Sequence, residues 1–233
     1  MHKILVIEDD KNIIDLLSIH LKDLSCDVVS VQNGRDALDI IARNMFDLII
    51  LDLMLPGLNG MDVCRKIRQN DKATPIMILS AKSEEIDKVI GLETGADDYL
   101  TKPFSIREFI ARVKVIFRRR EDAGRATGIA GNAILDFGNM VIDIDKRKVT
   151  LGGARIDLSP KEFELISLMA SNPGKSYSRK RLLNLVWGYD FEGYEHTVNA
   201  HINRLRNKIE ADISRPKYIL TSWGIGYRFN EEL

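Results

Sequence analysis

Apolar residues in the first half of the chain occur in two alternating patterns. Ile4-Leu5-Val6-Ile7, Leu48-Ile49-Ile50-Leu51 and Ile76-Met77-Ile78-Leu79 are unbroken runs too short for buried helices, and they end in polar or turn residues. Such runs predict the core strands of a parallel sheet. Between them the apolar residues return at helical spacing, as at 13, 16, 17, 21 and 24, the mark of a helix packed by one face. Read in order, strands at Lys3–Ile7, Cys26–Val31, Asp47–Leu51, Pro75–Ser80 and Asp98–Leu100 alternate with helices at Asn12–Leu24, Gly34–Asn44, Met61–Gln69, Ser83–Thr94 and Ile106–Arg119. Five strands alternating with five helices predict an α/β domain with a doubly wound five-stranded parallel sheet.

From Arg118 to Gly128 the period is lost and charge and glycine take over, which is linker composition. Ala133–Leu135, Met140–Asp143, Lys148–Leu151 and Ala154–Leu158 then read as short strands of a small antiparallel sheet. Ser159-Pro160-Lys161-Glu162 combines a capping serine, a first-position proline and a glutamate three residues after the cap, so a helix starts there. Ser178 caps a second helix through Trp187. A third runs from Glu195 to Glu210 with Val198, Ile202, Leu205 and Ile209 on one stripe. At 100° per residue, Asn199, Asn203, Arg204 and Asn207 fall opposite that stripe, flanked by Arg206, Lys208 and His201. Tyr218–Thr221 and Gly226–Phe229 read as a closing hairpin. The expected division is 1–120, a linker at 121–131, and an α+β domain at 132–233.

Composition changes this picture little, but charge adds to it. A length of 233 residues with 45% hydrophobic and 29% charged positions fits two ordinary globular domains. No apolar run nears the roughly 20 residues of a membrane span, and Met1-His2-Lys3-Ile4 leads into a strand without the apolar core of a signal peptide. Cys26 and Cys64 are isolated thiols without metal or disulfide spacing. A cytoplasmic protein with no membrane partner is expected. The zero net charge hides a division: residues 1–117 carry 15 Lys+Arg against 19 Asp+Glu, and residues 175–228 carry 10 against 5. An acidic module is joined to one suited to a polyanion.

Candidate chemistry collects at strand ends. Glu8 and Asp9 follow the first strand, Asp52 the third, Ser80 the fourth and Lys102 the fifth, and a wound sheet gathers those ends into one cleft. Neighbouring carboxylates repel unless a cation intervenes, and a hard divalent ion such as Mg²⁺ meets that need. Lys102 is placed to neutralise a phosphoryl oxygen. Singly, Glu8 and Asp9 are equally readable as helix caps. In the third helix of the second domain, Asn suits two-pronged pairing with adenine and Arg suits guanine or phosphate. A magnesium phosphohydrolase using Asp52 calls for a second acid two residues on, where Met54 stands, and no G-x-x-x-x-G-K-[ST] loop occurs. A protein-binding adaptor is the other alternative.

Ile4-Leu5-Val6-Ile7-Glu8-Asp9-Asp10, Leu51 through Gly57, Leu79-Ser80-Ala81 and Gly95 through Phe104 resemble the receiver domain of two-component response regulators. Leu158 to Leu165, Asn172-Pro173-Gly174, Ser178-Arg179, Val186-Trp187, Thr197-Val198, His201-Ile202, Arg204-Leu205-Arg206 and Gly224 through Phe229 resemble the winged helix-turn-helix domain of the OmpR/PhoB family. The resemblance implies a DNA-binding transcriptional regulator that is not an enzyme beyond slow self-dephosphorylation. It implies that Asp52 accepts a phosphoryl group from a sensor histidine kinase, with Mg²⁺ on Asp9, Asp52 and the Met54 carbonyl and with Glu8 acting through water. Ser80, Tyr99 and Lys102 match switch and phosphoryl-binding positions, and the Lys102-Pro103 bond is commonly cis in such receivers. It further implies a phosphorylation-driven homodimer through Lys88, Glu108, Asp97, Asp98, Arg112 and Arg119. Promoter DNA would be met by Asn199, Asn203, Arg204, Arg206, His201, His196, Trp187, Thr221 and Tyr227, with RNA polymerase as a further partner. His196 stands where many members carry an arginine, and Trp223 where some do.

Overall fold

The computed structural model describes residues 1–82, 85–125, 134–188 and 194–233, with backbone alone at 85, 86, 88, 89 and 118–125. The chain divides into two compact units, Met1–Ala111 and Arg112–Leu233.

In the first unit, strands β1 (Lys3–Ile7), β2 (Asp27–Val31), β3 (Leu48–Asp52), β4 (Ile76–Ser80) and β5 (Asp98–Thr101) form one sheet in the order β2-β1-β3-β4-β5. Every pairing is parallel. β3 and β4 are buried along their whole length, which is why both faces are apolar and the runs unbroken. Helices α1 (Lys11–Asp23), α2 (Gly34–Ile41), α3 (Gly60–Asn70), α4 (Glu85–Thr94) and α5 (Ile106–Arg125) follow the strands in turn. Strand order reverses at β1 and β3, the place where such sheets open a binding crevice. The register Ile7↔Leu51 and Asp52↔Leu79 brings the ends of β1, β3 and β4 to one edge.

Asp10 caps α1 by accepting the Asn12 amide, so neither Glu8 nor Asp9 is the cap. Several boundaries differ from expectation by one to three residues. Asp52 is the last residue of β3 itself, and α2 stops at Ile41, three residues before Asn44. A larger difference is α5, which continues to Arg125, five residues into the expected linker. Arg118-Arg119-Arg120-Glu121-Asp122 has no apolar period to signal a helix, yet arginine and glutamate favour helical backbone on their own.

The second unit opens with β6 (Ile134–Phe137), β7 (Met140–Asp143), β8 (Lys148–Leu151) and β9 (Ala154–Ile156), an antiparallel sheet in sequence order. Helix α6 (Pro160–Ala170) has the full capping box of Ser159 and Glu162. β10 (Tyr177–Ser178), α7 (Arg179–Trp187) and α8 (Glu195–Ile209) follow, and β11 (Ile219–Ser222) pairs with β12 (Gly226–Phe229) as a hairpin. β10, unexpected from the sequence, pairs with β12 and joins helices to hairpin. A Cβ on Gly226 would lie 2.1 Å from the Tyr177 carbonyl oxygen, so this crossing requires glycine. Leu165, Trp187, Val198, Leu205, Ile219 and Phe229 belong to one continuous core.

Candidate functional site

β1, β3 and β5 end together, and their polar residues meet. Lys102 Nζ donates to Glu8 Oε2 and to Asp52 Oδ2, each at 2.6 Å. Asp52 Oδ1 accepts the Met54 amide at 2.9 Å, which fixes the carboxylate against its own turn. Carboxylate oxygens of Glu8, Asp9 and Asp52 lie within 4.8 Å of one another. Glu8 is 1% exposed and Asp52 3%, whereas Asp9 faces solvent. Burial pushes the Glu8 carboxyl up to about 7 despite its Lys102 hydrogen bond, with the Asp52 charge adding to the rise. For Lys102, burial acts to lower the pKa, but hydrogen bonds to Asp52 and Glu8 outweigh it and hold the ammonium above its usual value. An all-oxygen set with two buried members and an excess of negative charge fits a hard divalent cation that keeps some of its waters.

The backbone around the cleft is tightly constrained. A Cβ on Gly60 would stand 2.2 Å from the Asp52 carbonyl oxygen, so α3 starts against the strand that carries Asp52. Ser80 ends β4, and its Oγ accepts the Lys82 amide at 3.2 Å. The fully buried Tyr99 donates its hydroxyl to the Lys82 carbonyl at 3.0 Å. Both residues therefore hold the same residue of backbone after β4. The Lys102 amide donates to the Ser80 carbonyl, and the Lys102-Pro103 bond is cis.

Three of the expected dimer residues, Asp97, Asp98 and Arg112, are buried. Asp97 is a correction: it is buried, pairs with Arg68 at 2.5 Å and accepts the Ile76 amide at 3.0 Å, so it ties β4, β5 and α3 together and is not presented outward. Asp98 accepts the Tyr99 amide. Glu108 and Arg112 lie on α5, and the side chains of Lys88 and Arg119 fall outside the described ones.

On α8 the structure keeps part of the expected face and withdraws part of it. Asn203 and Asn207 are exposed and Asn199 partly so, one stripe at four-residue spacing. Arg204 is corrected: its side chain is 11% exposed and its Nε lies 3.4 Å from Glu162 Oε1. Arg206 is 8% exposed, donating to the Ile219 carbonyl at 2.7 Å and to Thr221 Oγ1 at 2.9 Å. His201 is fully buried, edge-on to the equally buried Trp187, with Nδ1 on the Thr197 carbonyl. These three side chains, Arg206, His201 and Trp187, build the domain and do not lie on its surface. His196 and Tyr227, each 6% exposed, are buried as well, His196 beside the Tyr194 ring. α8 is thus covered on more than one side, because Glu162 in α6 and the β11–β12 hairpin both reach it. Tyr227 and Thr221 reach the α8 face from the hairpin, Tyr227 through a 2.9 Å hydrogen bond to Asn199. Arg179, part of the Ser178-Arg179 match but given no contact of its own there, joins the same asparagine from α7. Its position directly after the Ser178 cap was the available signal.

Residues 4–114 match the response regulator receiver domain, and residues 153–229 match the carboxyl-terminal domain of transcriptional regulatory proteins. A probable transcriptional regulatory protein of Picosynechococcus is 43% identical over 97% of this chain and 92% of its own length. A cysteine mutant of RitR matches with a TM-score of 0.76 at 27% identity, covering 99% of this chain and 100% of that one. DrrB of Thermotoga maritima, described as an OmpR/PhoB homologue, matches with a TM-score of 0.52 at 37% identity, covering 99% of each chain. Among the described residues, no helix is long and apolar enough to cross a membrane.

Proposed function

Since the chain belongs to the OmpR/PhoB-type response regulators, DNA-binding proteins of two-component signalling, we propose that Asp52 is the phosphoacceptor through which a sensor histidine kinase controls its hold on promoter DNA. The observation that carries this is the shared lysine: Lys102 Nζ at 2.6 Å from both Glu8 and Asp52, at the end of the central strand.

Asp52 Oδ attacks the phosphorus of a phosphohistidine in the kinase; the O–P bond forms, the P–N bond breaks, and the imidazole leaves with the electron pair and takes up a proton. Lys102 is already beside the attacking carboxylate and follows the new charge onto a phosphoryl oxygen. Glu8, Asp9, Asp52 and the Met54 carbonyl would hold Mg²⁺. That ion, when bound, supplies charge stabilisation to the transferring group. Ser80 and Tyr99, both anchored on Lys82, are the elements that respond, the hydroxyl by turning to the phosphoryl group. Release of phosphate by water at Asp52 is the most turnover this regulator should show.

We place its action in the cytoplasm, with a homodimer formed through α4, β5 and α5 by Glu108, together with Lys88 and Arg119, and with RNA polymerase as the downstream partner. The first 120 residues act as the receiver and 132–233 as the DNA-binding domain. DNA is met by the Asn199, Asn203 and Asn207 stripe, with the hairpin residue Thr221 at its side. Asp52→Asn is expected to abolish labelling by a phosphorylated kinase; label retained at wild-type level would refute the assignment.

A further inference from the structure

Asn199 stands where α7, α8 and β12 meet. Its Oδ1 accepts the Nε–H of Arg179 at 2.9 Å and the hydroxyl of Tyr227 at 2.9 Å. The Arg179 Nε can only donate, so the amide atom facing it is the oxygen and the orientation of the amide is settled by chemistry. A carbonyl oxygen has two lone pairs, and here both are used. The Arg179 and Arg206 guanidinium groups lie 5.4 and 5.5 Å from the Tyr227 ring, and Arg206 is itself fixed on the Ile219 carbonyl. The oxygen is therefore held from both sides, and the partly exposed Nδ2 has no hydrogen-bond partner among the described residues.

We propose that Asn199 is a donor-only contact to DNA, which offers two N–H groups to a hydrogen-bond acceptor and is unable to pair two-pronged with adenine. This rests on the assignment of the α8 asparagine stripe to DNA. Adenine pairing requires the amide oxygen to receive the N6 hydrogen while Nδ2 donates to N7, and that oxygen is already occupied. Guanine O6 and N7, thymine O4 and a phosphodiester oxygen each require only a donor. The inference reverses the sequence expectation for this asparagine alone. Asn203, exposed one turn further on, has no hydrogen bond fixing its amide among the described residues, so both its groups remain available.

The test is selection of binding sites from a randomised duplex library by the full-length protein, its Asn199→Ala variant and its Asn199→Asp variant. The Asp variant keeps an acceptor for Arg179 and Tyr227 but turns the outward group from donor to acceptor; thermal melts monitor folding of both variants. If the acceptor is a base, the wild type enriches guanine or thymine at one position of each half-site. Asn199→Ala then flattens that preference by about tenfold, and Asn199→Asp shifts it to adenine or cytosine, whose amino groups donate. If the acceptor is phosphate, both variants weaken binding to every duplex alike, the Asp variant more, with base preferences unchanged. Either pattern supports the donor lock. A wild-type preference for adenine that Asn199→Ala erases, or affinity and selection untouched by both variants, would overturn it. Failure of the wild type to enrich any sequence would overturn the DNA assignment of α8, and this inference with it.

Discussion

Lys102 makes the acidic cleft possible: two carboxylates buried at one sheet edge are tolerable only because a single ammonium touches both. Lys102→Met is expected to cost about 3 kcal/mol of stability without metal, read by urea unfolding, and less in Mg²⁺. Glu8 supplies a pH signature. Its folded pKa, about 7, stands above the ordinary 4.5, so the folded state holds the proton more tightly than the unfolded chain does. The stabilisation is complete below about pH 4.5 and is lost as pH rises through about 7. A cation held by Glu8 must displace that proton, so Mg²⁺ should raise the melting temperature more at about pH 8 than at about pH 5. An equal rise at both would remove Glu8 from the metal set. These residues were legible in the sequence because each follows a recognisable strand. Arg204 and Arg206 were not: a helical wheel shows which side of a helix is apolar but not which neighbour's carboxylate or carbonyl takes the arginines, and Glu162 and Ile219 do so here.

Among the elements, α6 and α8 are joined by one buried carboxylate. Glu162 accepts the Ser159 amide at 2.9 Å, takes Lys208 at 2.5 Å and faces Arg204. Cap, helix contact and charge pairing thus all depend on one side chain. Glu162→Ala should destabilise the second domain by about 3 kcal/mol, seen as an earlier urea midpoint, because it removes the glutamate half of the capping box and the carboxylate facing Arg204 and Lys208. A shift below a few tenths of a kcal/mol would contradict this. Glu162 was read only as a capping partner, since sequence spacing reports the local bond and not the one made across to α8. The same limit explains β10, two residues long and without period, which exists because Gly226 lets β12 approach it. It also explains the end of α5, whose charged last turns carry no apolar stripe. By contrast, β1, β3 and β4 were legible because their burial leaves unbroken apolar runs.

At the scale of the whole molecule, an acidic receiver and a basic DNA-binding domain share one chain, and the account requires phosphorylation at Asp52 to change what α8 does. The proposed receiver dimer would achieve this by raising the effective concentration of the second DNA-binding domain, with no new base contact. Sedimentation velocity is expected to show a monomer becoming a dimer when beryllofluoride and Mg²⁺ are added, and an unchanged monomer in Asp52→Asn. DNA affinity should fall steeply with salt through Lys and Arg contacts to phosphate. The central claim is tested most directly by titrating the full-length protein onto a fluorescent duplex carrying its selected site, with and without beryllofluoride and Mg²⁺. The expected result is an affinity at least about tenfold higher in the activated wild type, and no gain in Asp52→Asn. Equal affinity of the wild type in both conditions would contradict the account, for the cleft at Asp52 would then not control DNA binding.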